Sequence, residues 1–273
     1  MPELPEVETV RRSLKGKLIG KKIIKCDIYH DNIIEYPSVD EFKKNIIGQT
    51  FRDIERYGKW LKFVLDDYYL LSHLRMEGKY FFRDSAEKVY KHEHVVFYLD
   101  NNTEFRYMDV RKFGKMHLIR KEDINKIGPL LNVGLEPWDD KLTIDYLKDN
   151  YKNKKLPIKS VILDQSIIAG IGNIYANEIL FASSINPLKS AMDLNDSELE
   201  SIINNTRVIL EKAISMGGST IHSYTSVNGV TGLFQQELMV HTRNNQPCKK
   251  CGNNIDKIVV GGRGTYFCST CQQ

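Results

Sequence analysis

Trp60-Leu61-Lys62-Phe63-Val64-Leu65-Asp66-Asp67-Tyr68-Tyr69-Leu70-Leu71-Ser72-His73-Leu74 is the stretch from which the fold is read. Two runs of aromatic, β-branched and aliphatic residues flank a polar Asp66-Asp67 pair, the pattern of two strands joined by a turn. Runs of the same kind lie on either side: Lys22 to Tyr29, Lys79 to Arg83, His94 to Leu99 and Thr103 to Met108, the last two parted by Asn101-Asn102. Residues from about 22 to about 120 therefore read as successive strands, which suggests a sandwich or flattened barrel.

A helix precedes these strands. Val7, Val10, Leu14 and Leu18 share one face, Pro5 suits the first turn, and Gly20 ends the run. The pattern changes near Gly128-Pro129. Thr143 to Tyr151 and Asn173 to Ala182 read as helices. So does Asn195 to Met216, where Asn195 and Glu198 have capping-box spacing and Gly217-Gly218 follow. A polar loop from Ser219 to Gln236 comes next, long enough to suggest a functional segment.

The 273 residues fit one large domain or two ordinary ones, with 41% hydrophobic and 27% charged residues. This excludes a disordered chain, a collagen and a polytopic membrane protein. No apolar run is long enough to span a bilayer. The opening Met1-Pro2-Glu3-Leu4-Pro5-Glu6 lacks the basic-then-apolar pattern of a secretory signal, so a cytoplasmic location is expected.

Four of the five cysteines crowd the end of the chain. Cys248-x2-Cys251 and Cys268-x2-Cys271, 16 residues apart, have the spacing of a four-thiolate zinc site. Four thiolates leave no open position, so one structural zinc ion is expected. Disulfides are the lesser reading for an intracellular chain. Between the pairs, Ile255 to Phe267 reads as a hairpin with Gly261-Gly262-Arg263-Gly264 at its tip.

The net charge of +4 is too small to identify a nucleic-acid partner, so local charge matters more. Three segments are basic: Arg106 to Lys121, Lys148 to Lys159, and the cysteine-rich end. Each alone fits an ordinary solvated face; together they favour a positive surface for nucleic acid. Phe113 beside Arg111-Lys112, and Met76 beside Arg75, fit wedges inserted between bases, with core packing as the plainer reading.

The N-terminus carries the sharpest chemistry. Loss of Met1 leaves Pro2 with a secondary amine whose pKa, about 8 for an α-amino group, permits attack at neutral pH. Addition to an aldehyde-like sugar carbon gives an iminium that stays cationic and draws electrons for elimination. Glu3 and Glu6 lie close enough in sequence to shuttle protons. The competing reading is that Glu3, Glu6 and Glu8 favour the start of the helix electrostatically.

Six motifs run in order along the chain: Pro2-Glu3-Leu4-Pro5-Glu6-Val7-Glu8-Thr9, Ser72-His73-Leu74-Arg75-Met76-Glu77-Gly78, Lys91-His92-Glu93-His94, Asp109-Val110-Arg111-Lys112-Phe113-Gly114, Gly170-Ile171-Gly172-Asn173-Ile174-Tyr175-Ala176-Asn177-Glu178 and Gly261-Gly262-Arg263-Gly264-Thr265. Together they resemble the formamidopyrimidine-DNA glycosylase family. The resemblance implies an α+β chain of three parts: an N-terminal catalytic β-sandwich with a leading helix (1–130), a helical helix-two-turn-helix DNA-binding domain (131–240), and a four-cysteine zinc-finger β-hairpin (241–273). It implies a monomeric, bacterial base-excision-repair enzyme acting on double-stranded DNA with oxidised bases or abasic sites. Such an enzyme excises 8-oxoguanine and formamidopyrimidines, then cuts the strand by β- and δ-elimination.

Carried over by motif, Pro2 is the nucleophile and Glu3 the general acid/base. Lys59 contacts phosphate and assists elimination; a solvated lysine is its plainer reading. Asn173 and Arg263 bind phosphates around the flipped nucleotide, Arg263 also serving in δ-elimination, although Asn173 also suits a helix cap. His73, His92, Arg111 and Lys154 match DNA contacts, Lys155 being the rival of Lys154. Met76, Arg111 and Phe113 match the trio that fills the gap left by the extruded base, and the 219–236 loop matches the cover over it. His241-Thr242-Arg243 departs from the more usual Tyr-Gly-Arg, and the frequent final Arg is missing. Two alternatives are an endonuclease VIII-like glycosylase for oxidised pyrimidines and a non-enzymatic DNA-binding zinc protein. The Leu4-Pro5-Glu6-Val7 opening and the Arg111/Phe113 pair argue against the first.

Overall fold

A computed structural model describes residues 1–84, 87–219 and 232–273. The chain divides into two compact units. The first holds Met1–Pro2 and Glu6–Leu131; the second holds Glu3–Pro5, Asn132–Ser219 and Leu233–Gln273.

The first unit holds α1 (Leu4–Leu18) from Glu6 onward, with Val7, Val10, Leu14 and Leu18 all buried in the core. Its strands are β1 (Ile23–Ile28), β2 (Ile34–Tyr36), β3 (Asp53–Tyr57), β4 (Trp60–Val64), β5 (Tyr68–His73), β6 (Lys79–Asp84), β7 (Glu93–Leu99), β8 (Thr103–Met108) and β9 (Lys115–Arg120). Among the described residues they form two sheets, ordered β1-β7-β8-β6 and β2-β9-β5-β4-β3. The expected sandwich is present. Asp66-Asp67 joins β4 to β5, with Val64 opposite Tyr69 and Trp60 opposite His73.

Phe105 is the hub between the sheets. On its own sheet it lies opposite Phe82 on one neighbouring strand and Phe97 on the other. Its ring stacks on Tyr80 at 4.6 Å and meets Phe63 of β4 edge-on at 5.9 Å. Phe51, just before β3, lies edge-on at 6.0 Å. Such pairs add geometric preference to plain area burial.

One helix inside the strand region departs from the sequence reading: α2 (Val39–Ile46). Ser38 caps it by accepting the Glu41 N–H, and Phe42 and Ile46 bury one face. At eight residues it is too short to stand out against its strand-rich surroundings.

The second unit contains α3 (Ile144–Tyr151), α4 (Ile158–Val161), α5 (Asn173–Ala182), α6 (Asp196–Ser215) and the hairpin β10 (Asp256–Val260) with β11 (Arg263–Phe267). Thr143 caps α3. Asn195 and Glu198 complete the capping box of α6, each side chain accepting the other's backbone N–H, at 3.0 and 2.9 Å. Residues Tyr175 to Phe181 of α5 are buried all round, which makes it the central helix of this unit. The proposed covering loop lies mostly outside the described residues; its last part contains a short turn, Phe234–Gln236. Among the described residues no helix is long and apolar enough to cross a membrane.

Phe105→Ala removes the hub ring. It is expected to cost about 3–5 kcal/mol in denaturant unfolding, and a loss below about 1 kcal/mol would contradict this account of the core.

Candidate active site and metal centre

The candidate residues fall into two constellations, one in each unit. In the second unit, Glu3 is buried at 2% exposure. Its carboxylate accepts N–H groups from Gly172 at 2.7 Å, Ile174 at 2.9 Å and Tyr175 at 3.4 Å. These are the unpaired donors at the start of α5, where the helix dipole also favours negative charge. Gly172 is needed for this approach, because a Cβ there would lie 2.3 Å from the Glu3 carboxyl carbon. Glu3 thus sits at the N-terminus of α5.

Asn173 does not cap α5; Gly172 holds that position. The Asn173 Nδ2 donates to the Gly264 carbonyl of β11 at 3.0 Å, and its Oδ1 is buried without a hydrogen-bond partner. Its backbone carbonyl accepts from Lys159 Nζ at 3.2 Å. Arg263 is exposed at the start of β11, directly after the Gly261-Gly262 turn, where φ is 55° and 74°. The hairpin therefore places an arginine beside the residue that Asn173 grips.

Lys159 is the site neighbour that sequence reading missed. It belonged to a supposedly solvated basic stretch, yet it is completely buried. Burial pushes its amine down to about 7, against the pull of Glu3. Its only sequence clue is the apolar company of Ile158, Val161 and Ile162. Other cations of the basic segments also have carboxylate partners, Arg106 inside the fold and the lysines at the surface. Arg106 is buried on Glu93 and Glu104, while Lys115, Lys148 and Lys152 pair with Glu35, Asp196 and Asp149. Lys154 pairs with Asp164 at 3.3 Å, whereas Lys155 is exposed.

In the first unit, Pro2 is buried, preceded in the chain by exposed Met1. Lys59 lies in the β3–β4 turn at 5% exposure, so the solvated reading fails. His73 faces Trp60 edge-on at 4.8 Å. Its Nδ1 accepts the Arg75 N–H at 3.0 Å, which leaves the proton on Nε2. Burial, then the charges of Arg75 and Lys59, push its pKa down to about 3. It is a neutral donor, not a cation.

The two wedge-bearing loops are built over one hydroxyl. A Cβ at Gly78 would lie 2.3 Å from the Tyr107 oxygen, and one at Gly114 would lie 1.7 Å from it. Asp109 shapes the second loop by accepting N–H groups from Arg111 at 3.0 Å and Gly114 at 2.8 Å. This leaves Phe113 half exposed, with the Arg111 guanidinium 4.8 Å from its ring, so core packing does not explain it. Met76 is half-buried. His92 follows the β6–β7 connection, its ring edge-on to His94.

The four late cysteines converge. Their sulfurs lie within 4.8 Å of one another, with Cys251–Cys268 at 3.5 Å and Cys248–Cys271 at 4.0 Å. These spacings are too long for disulfides and near the edge of a tetrahedral zinc–thiolate site, about 3.8 Å. The cluster is a metal-binding set. Just before it, buried Glu178 accepts the N–H groups of Met239, Val240 and His241. Asn177 and His241 approach at 2.7 Å.

His241 is held near pKa 4 by burial and then Lys159, and His73 near 3. Unfolding releases both to about 6.5, so the unfolded chain binds protons that the folded chain does not. Stability present above pH 6.5 is therefore lost as pH falls toward 4. His241→Gln is expected to flatten the slope by up to about 1.4 kcal/mol per pH unit; an unchanged slope in pH-dependent unfolding would contradict burial of a neutral imidazole.

Known protein families give the same picture. The signature of the formamidopyrimidine-DNA glycosylase N-terminal domain matches residues 1–116, that of its H2TH domain 133–225, and that of a zinc finger found in FPG and IleRS 245–273. The chain is 46% identical to the formamidopyrimidine-DNA glycosylase of Oceanobacillus iheyensis, covering 100% of this chain and 98% of that one. Identity to the Bacillus subtilis protein is 44%, covering 100% and 99%. Among solved structures, wild-type Lactococcus lactis Fpg with N7-benzyl-Fapy-dG DNA matches at TM-score 0.92 and 38% identity over the full length of both chains. The same enzyme with abasic-site DNA matches at TM-score 0.92 and 37% identity over 99% of each. Sandwich, helix-two-turn-helix region and cysteine finger are those of this family, and the chain belongs to the formamidopyrimidine-DNA glycosylases.

Proposed function

We propose that Pro2 and Glu3 carry the chemistry of this bifunctional DNA glycosylase and AP lyase, which acts on oxidised purines in duplex DNA. The observation that carries the assignment is the fixed carboxylate of Glu3, one residue after the candidate nucleophile and held by three N–H groups. Once Met1 is removed, the Pro2 nitrogen attacks C1′ of the extruded nucleotide as the bond to the damaged base breaks. Glu3 moves the proton that opens the sugar, giving a cationic iminium. Loss of a proton from C2′ then expels the 3′ phosphate, and the second elimination expels the 5′ phosphate.

Extruding a base costs a few kcal/mol. Met76, Arg111 and Phe113 offset that by filling the gap, as apolar wedges do in kinked DNA. Lys59, buried and close enough to His73 to depress its pKa, supplies charge at a phosphate, and His73 donates its Nε2–H. Asn173 and Arg263 hold phosphates beside Glu3, and His92 and Lys154 extend the backbone contacts. Zinc in the four-thiolate cluster fastens the hairpin that presents Arg263. The functional parts are 1–130, 131–240 and 241–273, and the enzyme works at the bacterial nucleoid, where its substrate is.

The decisive experiment is single-turnover excision on a lesion panel. The wild type is expected to favour 8-oxoguanine and formamidopyrimidine over thymine glycol. Glu3→Gln is expected to slow excision by at least about 100-fold with DNA affinity retained. Preference for thymine glycol would favour the endonuclease VIII-like alternative, and undiminished excision by Glu3→Gln would remove Glu3 from the chemistry.

A further inference from the structure

Arg106, in β8, is fully buried, and its five guanidinium N–H groups are matched by five acceptor contacts. Glu104 receives Nε at 2.7 Å and Nη2 at 2.6 Å, and Glu93 receives Nη1 at 2.7 Å. The other two contacts are backbone carbonyls in the connection between β6 and β7: Lys88 at 3.1 Å and Glu87 at 2.6 Å. Glu93 extends the grip, its Oε2 also accepting the Tyr90 N–H at 2.9 Å. At the end of the segment, the Asp109 N–H donates to the His92 carbonyl at 3.0 Å.

A buried ion network of this kind is a poor way to gain stability. Well-packed apolar residues of similar volume often serve as well or better. What an apolar trio lacks is a rigid fork of donors that fixes two carbonyls at set positions. The segment so fixed turns Lys88, Tyr90 and Lys91 to solvent and ends at half-buried His92, whose Nδ1 is buried without a hydrogen-bond partner.

We propose that Arg106 is a positioning residue for DNA binding: it clamps the backbone of residues 87–90 so that Lys91 and His92 meet the DNA backbone. The inference rests on the reading of His92 as a DNA contact. Arg106 touches no substrate itself; it acts through the carbonyls of Glu87 and Lys88 and through Glu93.

A double-variant cycle tests it, reading affinity for a duplex that carries one uncleavable abasic-site analogue. Arg106→Lys and His92→Ala are each expected to weaken binding several-fold. The double variant is expected to be no weaker than the worse single, because Arg106→Lys already removes the contact that His92→Ala removes. The excision rate at saturating enzyme should stay at the wild-type value in Arg106→Lys. Losses that multiply in the double variant would overturn the positioning role and leave His92 as a contact. Wild-type affinity in His92→Ala would overturn both. If Arg106→Lys does not fold, Arg106→Met/Glu93→Gln/Glu104→Gln, which leaves no unpaired buried charge, takes its place in the same cycle.

Discussion

The Glu3 carboxylate accepts N–H groups of Gly172, Ile174 and Tyr175 at the start of α5, and the chain start, α5 and the hairpin are tied together there. The Leu4 N–H donates to the Gly170 carbonyl at 3.1 Å, so the residue after Glu3 is anchored to the same loop that receives the carboxylate. Gly172 leaves room for it, and Asn173, the next residue, ties α5 to the hairpin beside Arg263. A carboxyl group at a flexible chain start would lose much of its value as a proton carrier. Three donors at a helix end hold it in one place and favour its charge.

The same device recurs through the molecule: a buried charge or amide holds the backbone of a segment that carries functional side chains. Asp109 shapes the Arg111–Phe113 loop, Glu178 grips the approach to the cysteine cluster, and Arg106 grips the approach to His92. Each spends burial on polar groups, which is costly unless every partner is supplied. The return is a loop whose exposed residues need not find their own conformation.

Much of this was legible in the residues. Aromatic and β-branched runs parted by turn residues marked six of the nine strands of the first unit, leaving β2, β3 and β9 unmarked; apolar spacing gave α1, and Asn195 with Glu198 gave α6 its start. The cysteine spacing gave the metal cluster because a Cys-x2-Cys turn constrains its sulfurs locally. What escaped notice depends on tertiary burial. Arg106 and Lys159 look like surface cations in the chain, and only the fold shows them enclosed. Short α2 was hidden among strands, and that Gly172, not Asn173, caps α5 needed the position of Glu3 to be understood.

The most direct measurement locates the sugar on the protein. Borohydride reduction during turnover of an 8-oxoguanine duplex, followed by digestion and peptide mass analysis, reads the attachment point. The account predicts a deoxyribose remnant on the N-terminal peptide, fragmenting at Pro2, in protein that has lost Met1. A remnant on a lysine instead, or none on Pro2 while the strand is cut at the normal rate, would contradict it.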